Sequence, residues 1–207
     1  MTRVLSIQKR RGVAHVTLED GDVLRVPSAL YRERQLAPGA EVDAAAHRAW
    51  MDERGYRPAL DLAVASLSVR PRTVQEIDTR LAQAGYTEAT RDRVVACLRR
   101  EGYLNDAEFA DQWTQARSAR ALGTRRIAQE LRRKGVAQET IEASLAQVDE
   151  EDSLTAAAAL AAKLLGRTKG KDDRDVHRKV YAALLRRGFG YDMARQALAQ
   201  AGAPDDE

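Results

Sequence analysis

The sequence predicts a mainly α protein: three tandem three-helix repeats forming an elongated, curved array, with a small N-terminal β-hairpin and strand extension. Three observations carry this. The 207 residues include only 13 Gly and 5 Pro, with Ala, Leu, Arg, Glu and Gln abundant, a balance that favours helix. Apolar and polar residues alternate only between residues 3 and 26, and a helical period takes over from residue 41. A pattern centred on Gly85 returns at Gly135 and again at Gly188.

The N-terminal stretch predicts three short strands at 4–8, 13–18 and 23–26, separated by the turn signals Arg11-Gly12 and Asp20-Gly21. Pro27-Ser28 ends the sheet and opens a short helix over 29–35, followed by a loop at 37–40. A piece this small is not stable alone and should pack on the helical region after it. Residues 43–54 predict a linking helix that stops at Gly55. Pro58 then opens the next helix at a first-turn position, where its missing N–H does no harm. The resulting division is 1–40, a linking helix within 41–57, repeats at 58–104, 105–150 and 151–202, and an acidic tail at 203–207.

The repeat is explicit. Eight residues before each glycine lie Ile77, Ile127 and Val180, and four before lie Leu81, Leu131 and Leu184. Directly after come Tyr86, Val136 and Phe189, ten after Val95, Leu145 and Leu198, and thirteen after Leu98, Val148 and Ala201. Each glycine follows a helical run and suits the left-handed position that closes a helix, so the residue after it should pack on the leucine before it. Gly102 and Gly55 sit in the same local pattern. An earlier helix completes each unit, at 59–69, 106–121 and 152–165. The clearest start is at Asn105, an N-cap with Glu108 able to reach back and Leu104 and Phe109 in staple positions. Residues 166–175 form a hydrophilic insertion that predicts a mobile surface loop.

Signals for catalysis are thin. Hydrophobic and charged fractions of 44% and 31% describe a folded chain, and the net charge of +3 is small. Cys97 is the sole cysteine, in an apolar run that predicts a small buried hydrophobe. The first residues lack a signal-peptide core and the Ala-rich run at 154–165 is shorter than a bilayer span, so a cytoplasmic protein with no membrane partner is expected. His15, His47 and His177 are isolated, which predicts surface or partly packed imidazoles and no zinc site. Gly166 to Lys171 has the glycines of a phosphate loop, but its spacing is one short and Asp172 stands where a magnesium-binding hydroxyl belongs. The expectation is a non-enzyme without cofactor or metal.

The cations are more informative. Arg117 and Arg120 precede Arg125, Arg126, Arg132, Arg133 and Lys134, among which Glu130 is the only acid. Arg178, Lys179, Arg186 and Arg187 recur one repeat later, and Arg70, Arg72 and Arg80 one repeat earlier. The helix dipole accounts for cations at a helix end, such as Arg132, Arg133 and Lys134, but not for Arg125 and Arg126 at a helix start. A shared basic stripe suits DNA phosphates or an acidic protein groove. Tyr86, Tyr103, Phe109, Trp113 and Phe189 fall at stop, staple or core positions and are expected to be structural.

Gly102-Tyr103-Leu104-Asn105-Asp106, Phe109-Ala110, Trp113, Arg117, Gly123, the run from Ile127 to Gly135 and that from Leu184 to Phe189 together resemble the RecX family of bacterial recombination regulators, over residues 58–201. The resemblance implies a monomeric, non-enzymatic modulator of the RecA recombinase. Such a protein would lie in the groove of the RecA–DNA filament, block its extension or promote its disassembly, and lower ATP hydrolysis, strand exchange and SOS-repressor cleavage. On charge and placement, Arg117, Arg120, Arg125, Arg126, Arg132, Arg133, Lys134, Arg186 and Arg187 are the candidate contacts to filament or DNA. Two other readings stay open: a helical-repeat protein that binds DNA directly, and a generic helical scaffold.

Overall fold

In the computed structural model, residues 1–168, 170 and 172–202 are described, and the chain divides into two compact units, Met1–Asn105 and Asp106–Glu207. The expected tail at 203–207, with Lys169 and Lys171 of the expected loop, lies outside the described residues.

In the first unit, strands β1 (Thr2–Arg10), β2 (Val13–Leu18), β3 (Val23–Pro27) and β4 (Glu41–Val42) form one antiparallel sheet in the order β3-β2-β1-β4. Arg11 and Gly12 both adopt positive φ, the signature of a two-residue hairpin turn, and set the register Arg10↔Val13. The sequence reading missed β4, because two residues carry no period. It forms because the Gly39 turn folds the chain back, Val4 N–H bonding the Ala40 carbonyl at 2.9 Å. One sheet face, with Val4, Val16, Leu24 and Val26, packs with α1 (Ser28–Glu33) and with Met51 and Trp50 of α2 (Ala44–Leu67).

Helix α2 corrects the expected break at Gly55 and Pro58. It runs unbroken through both, capped by Asp43, whose side chain accepts from Ala46 N–H at 3.0 Å. An internal proline costs about 3 kcal/mol, yet α2 has two packing surfaces to offset it. Its first half buries His47 and Met51, and its second half buries Ala59 and Ala63 with α3 (Val74–Gln83) and α4 (Glu88–Arg100). Gly55 is no helix stop: a Cβ there would lie 3.3 Å from Thr90 Oγ1, so the glycine admits α4 close to α2.

The other glycines do close helices. Gly85, Gly102, Gly135 and Gly188 have φ of +89°, +77°, +78° and +94°. Tyr86, Val136 and Phe189 N–H groups reach the carbonyls of Leu81, Leu131 and Leu184 at 3.2, 3.2 and 3.3 Å, the six-to-one bond of a Schellman stop. The paired residues share a core in each repeat.

Side-chain burial departs from the sequence pattern at several positions. In the third helices Val94, Ser144 and Ala197 are buried, each one residue before the expected Val95, Leu145 and Leu198, which are only half-buried. Cys97 is only partly buried, beside Arg100, and lies outside the core. Tyr103 is 68% exposed rather than packed. His47 is fully buried, its ring 5.3 Å from that of Trp50, because α2 continues beneath the sheet.

The second unit holds α5 (Asp106–Ser118), α6 (Thr124–Arg133), α7 (Gln138–Leu145), α8 (Glu150–Leu165), α9 (Asp173–Arg186) and α10 (Tyr191–Gly202). α5 begins directly after Asn105 but ends three residues early, at a stop that places Ala121, not a glycine, at φ +51°. Of the expected staple residues, Leu104 packs in the first unit's core and Phe109 beside Trp113 in the second's. α9 starts inside the predicted loop. Asp172 caps it by accepting from Asp175 N–H at 2.7 Å, and Asp173 and Asp175 suit its positive end. No described helix is long and apolar enough to cross a membrane.

Candidate functional site

Helix α6 divides into two faces. Ile127, Ala128 and Leu131 are buried, while Arg125, Arg126, Arg132 and Arg133 are exposed. Its N-cap residue, Gly123, has no side chain to accept a first-turn N–H, and its carbonyl takes only those of Arg126 and Ile127, at 3.0 and 3.2 Å. The end of α9 supplies further acceptors: Gly123 N–H donates to the Arg187 carbonyl at 3.0 Å, and Arg125 N–H to the Gly188 carbonyl at 3.2 Å. The approach requires two glycines. A Cβ on Gly123 would meet Gly188 backbone at 2.3 Å, and one on Gly188 would meet Arg126 backbone at 2.4 Å. The positive start of α6 thus abuts the negative end of α9, which removes the dipole objection to Arg125 and Arg126.

Around this junction the candidate arginines sort by their partners. Arg125 lies over the Tyr191 ring at 4.9 Å, and Arg132 Nε donates to Gln138 Oε1 at 3.0 Å. Arg126 Nε is 3.5 Å from Glu130 Oε1, and Arg187 Nη1 donates to the Arg120 carbonyl at 3.0 Å. Arg120, Arg133 and Arg186 are exposed and make no ion pair among the described residues. Arg126, Arg186 and Arg187 border a groove of about 400 Å³ between α6, α8 and α9, walled by Leu122, Leu160 and Leu164 and holding one carboxylate, Glu130.

Arg117 and Lys134 are placed differently. Arg117 Nε donates to Glu130 Oε2 at 2.8 Å, and its guanidinium stacks 4.1 Å from the Trp113 ring centroid. Trp113 Nε1 donates to the same Glu130 oxygen at 3.1 Å, and Lys134 Nζ lies 4.4 Å from the same ring. Glu130 therefore ties α5 to α6, and both cations are engaged by the aromatic pair Phe109 and Trp113. Elsewhere several of the repeated cations are paired, Arg70 with Glu76, and Arg178 and Lys179 with Asp175, while Arg80 is exposed.

Sequence reasoning found the arginines but missed Glu130 as the hub, Tyr191 as a platform and the Gly123–Gly188 approach. Only Glu130 left a signal, as the lone acid of α6. The expected phosphate-loop mimic is two helix ends: Gly166 closes α8 and Asp172 opens α9. Among the described residues no three His, Cys, Asp or Glu side chains gather as metal ligands. What the arrangement offers is multipoint binding of anions by planar guanidinium groups against an apolar wall.

Fold and site together define a helical-repeat protein with an exposed arginine face. Models of the RecX first, second and third three-helix domains match residues 59–98, 105–145 and 150–198, in that order. A regulatory protein RecX of Lactobacillus delbrueckii subsp. bulgaricus is 31% identical over 97% of this chain and 74% of its own length. One of Amycolatopsis mediterranei is 32% identical over 73% of this chain and 89% of its own. A crystal structure of regulatory protein RecX superposes with a TM-score of 0.65 at 24% identity, covering 94% of this chain and 98% of the other. The chain belongs to the RecX family of regulatory proteins.

Proposed function

We infer that this chain restrains a RecA-type recombinase by binding in the groove of its filament on DNA, and that it does so without catalysis of its own. Membership of the RecX family of regulatory proteins supports a RecA-type partner. The observation that carries the contact is the arginine face of α6, set beside Arg186 and Arg187 by the glycine approach. Arg120, Arg125, Arg126, Arg132, Arg133, Arg186 and Arg187 meet acidic filament surface or enclosed phosphates, while Arg117 and Lys134 support the face through Trp113 and Glu130. Filament extension is blocked or disassembly promoted, so ATP hydrolysis, strand exchange and SOS-repressor cleavage all fall. The protein works as a monomer in the cytoplasm.

Direct DNA binding is the second reading, favoured by the same exposed arginines. Titration of a fixed, pre-formed RecA filament on single-stranded DNA separates the two. The filament reading predicts loss of ATP hydrolysis at protein levels well below that of RecA, and no effect up to equal amounts contradicts it. Direct binding predicts instead that the protein holds naked DNA, with affinity falling steeply as salt rises.

A further inference from the structure

The second unit carries a surface of opposite charge. An open groove of about 850 Å³ lies between α5 with the end of α7 on one side and the first half of α8 on the other. Its lining includes Glu108, Asp111, Asp149 and Asp152 and, among the described residues, no Lys, Arg or His. In a chain with 34 Lys and Arg against 31 Asp and Glu, that segregation does not follow from composition. Local structure explains part of it. Asp149 caps α8 by accepting from Asp152 N–H at 2.9 Å, and Glu108 sits in a first turn where acid is favoured. Asp111 lies a turn further on, beyond the reach of that preference, and its Oδ1 accepts from Gln147 Nε2 at 3.3 Å.

The walls are helix faces left open on the groove side. α8 buries Ala157 and Ala161 in the core, whereas Asp152, Ala156 and Ala159, at helical spacing, face the groove. α5 buries Phe109 and Ala110 and turns Asp111 and Gln115 to the groove, with Ala119 just past its end. Leu122, Val148 and Phe189 add apolar lining. Ser118 Oγ, also in the lining, is buried without a hydrogen-bond partner among the described residues. Small side chains on two walls let a third helix approach to about 8–10 Å between axes.

We propose that this groove docks a basic amphipathic helix of a partner protein. Its apolar face lies on Leu122, Val148, Ala156 and Ala159, and Lys or Arg on its flanks meet Glu108, Asp111 and Asp152. The carboxylates exclude nucleic acid and anionic membranes as occupants by like-charge repulsion. The groove and the arginine-bordered groove share only Leu122 of their linings, so the protein has two docking surfaces of opposite sign.

The test uses the full chain and a fluorescein-labelled helical peptide of about four turns, with Ala and Leu on one face and Lys on both flanks. A peptide with Glu at every Lys position is the control. Anisotropy should show the Lys peptide binding at least about tenfold more tightly, with affinity falling as salt rises. Glu108→Lys with Asp111→Lys should weaken it about tenfold, and Ala156→Trp, which fills the groove and leaves its charges, should abolish it. Thermal melts check folding, and Ala159→Trp at an exposed position replaces Ala156→Trp if that variant is unfolded. Arg125→Glu with Arg133→Glu should leave binding unchanged. No binding of the Lys peptide, equal binding of both peptides, or full binding by a folded tryptophan variant overturns the proposal. So does a concentration-dependent dimer in sedimentation that the tryptophan variant dissolves, because the occupant is then a second copy of this chain.

Discussion

Helices α3 and α6 hold the same place in successive repeats and are built on the same buried pair, Ile77 with Leu81 and Ile127 with Leu131, before the same glycine stop. They differ in how they begin. α3 carries its own cap: Thr73 Oγ1 accepts from Glu76 N–H at 3.2 Å, Glu76 reaches back to Thr73 N–H, and Arg70 pairs with Glu76. α6 has no side-chain cap, and carbonyls of α9 take that role. The third position of α3 must therefore be an acceptor, whereas in α6 it is free to be Arg126. The fold fixes the buried residues of a repeat, and the source of the cap decides whether its outer face can turn basic.

The largest effect should come from removing the borrowed cap. Gly188→Ala combines a left-handed backbone with a Cβ 2.4 Å from Arg126 backbone, for a loss of about 3 kcal/mol in denaturant unfolding. Gly102→Ala, with the same sign of φ but open space around it, should cost only about 1 kcal/mol. Similar losses at the two sites would mean that the glycine approach contributes nothing.

The next effect tests the caps directly. Glu76→Arg removes the capping box and the Arg70 pair and should cost about 1–2 kcal/mol. Arg126→Glu at the equivalent position should change stability by less than about 0.5 kcal/mol, because that side chain is exposed and caps nothing. Equal costs in thermal melts would erase the distinction between the two helices.

A smaller effect belongs to the sheet-packed half of α2. Burial, and secondarily the charge of Arg34, holds the His47 pKa below its ordinary value. The unfolded chain then binds the proton more readily, so stability is full above about pH 6.5 and declines as pH falls below it. Thermal midpoints measured from neutral to about pH 5 should fall, and His47→Gln should flatten that slope. An unchanged slope would show that the imidazole titrates without strain.

The features legible in the sequence are those set by single-residue constraints. Gly85, Gly135 and Gly188 were readable because only glycine suits a left-handed stop, and Leu81, Leu131 and Leu184 because a buried face has a helical period. Pro58 misled because packing on both halves of α2 outweighs a local break, and β4 was hidden because it exists only as a pairing with β1. Ala121 closes α5 in a conformation that its type does not announce. At the candidate site the charges were legible, but their partners were not. Which helices meet decides that Arg117 is held by Glu130 and Trp113 while Arg133 stays exposed. The role of Gly123 likewise needs Gly188, a whole repeat away.

We propose that the arginine face of α6, rather than cationic charge in general, carries the regulatory contact. The direct measurement is inhibition of DNA-stimulated ATP hydrolysis by the cognate RecA filament, comparing three proteins. These are the unmodified chain, Arg125→Glu with Arg133→Glu on α6, and Arg80→Glu with Arg99→Glu at exposed positions of the first repeat. If the α6 face carries the contact, the first and third inhibit alike, well below equimolar levels, and the α6 pair needs at least about tenfold more protein. Equal potency of all three would contradict it.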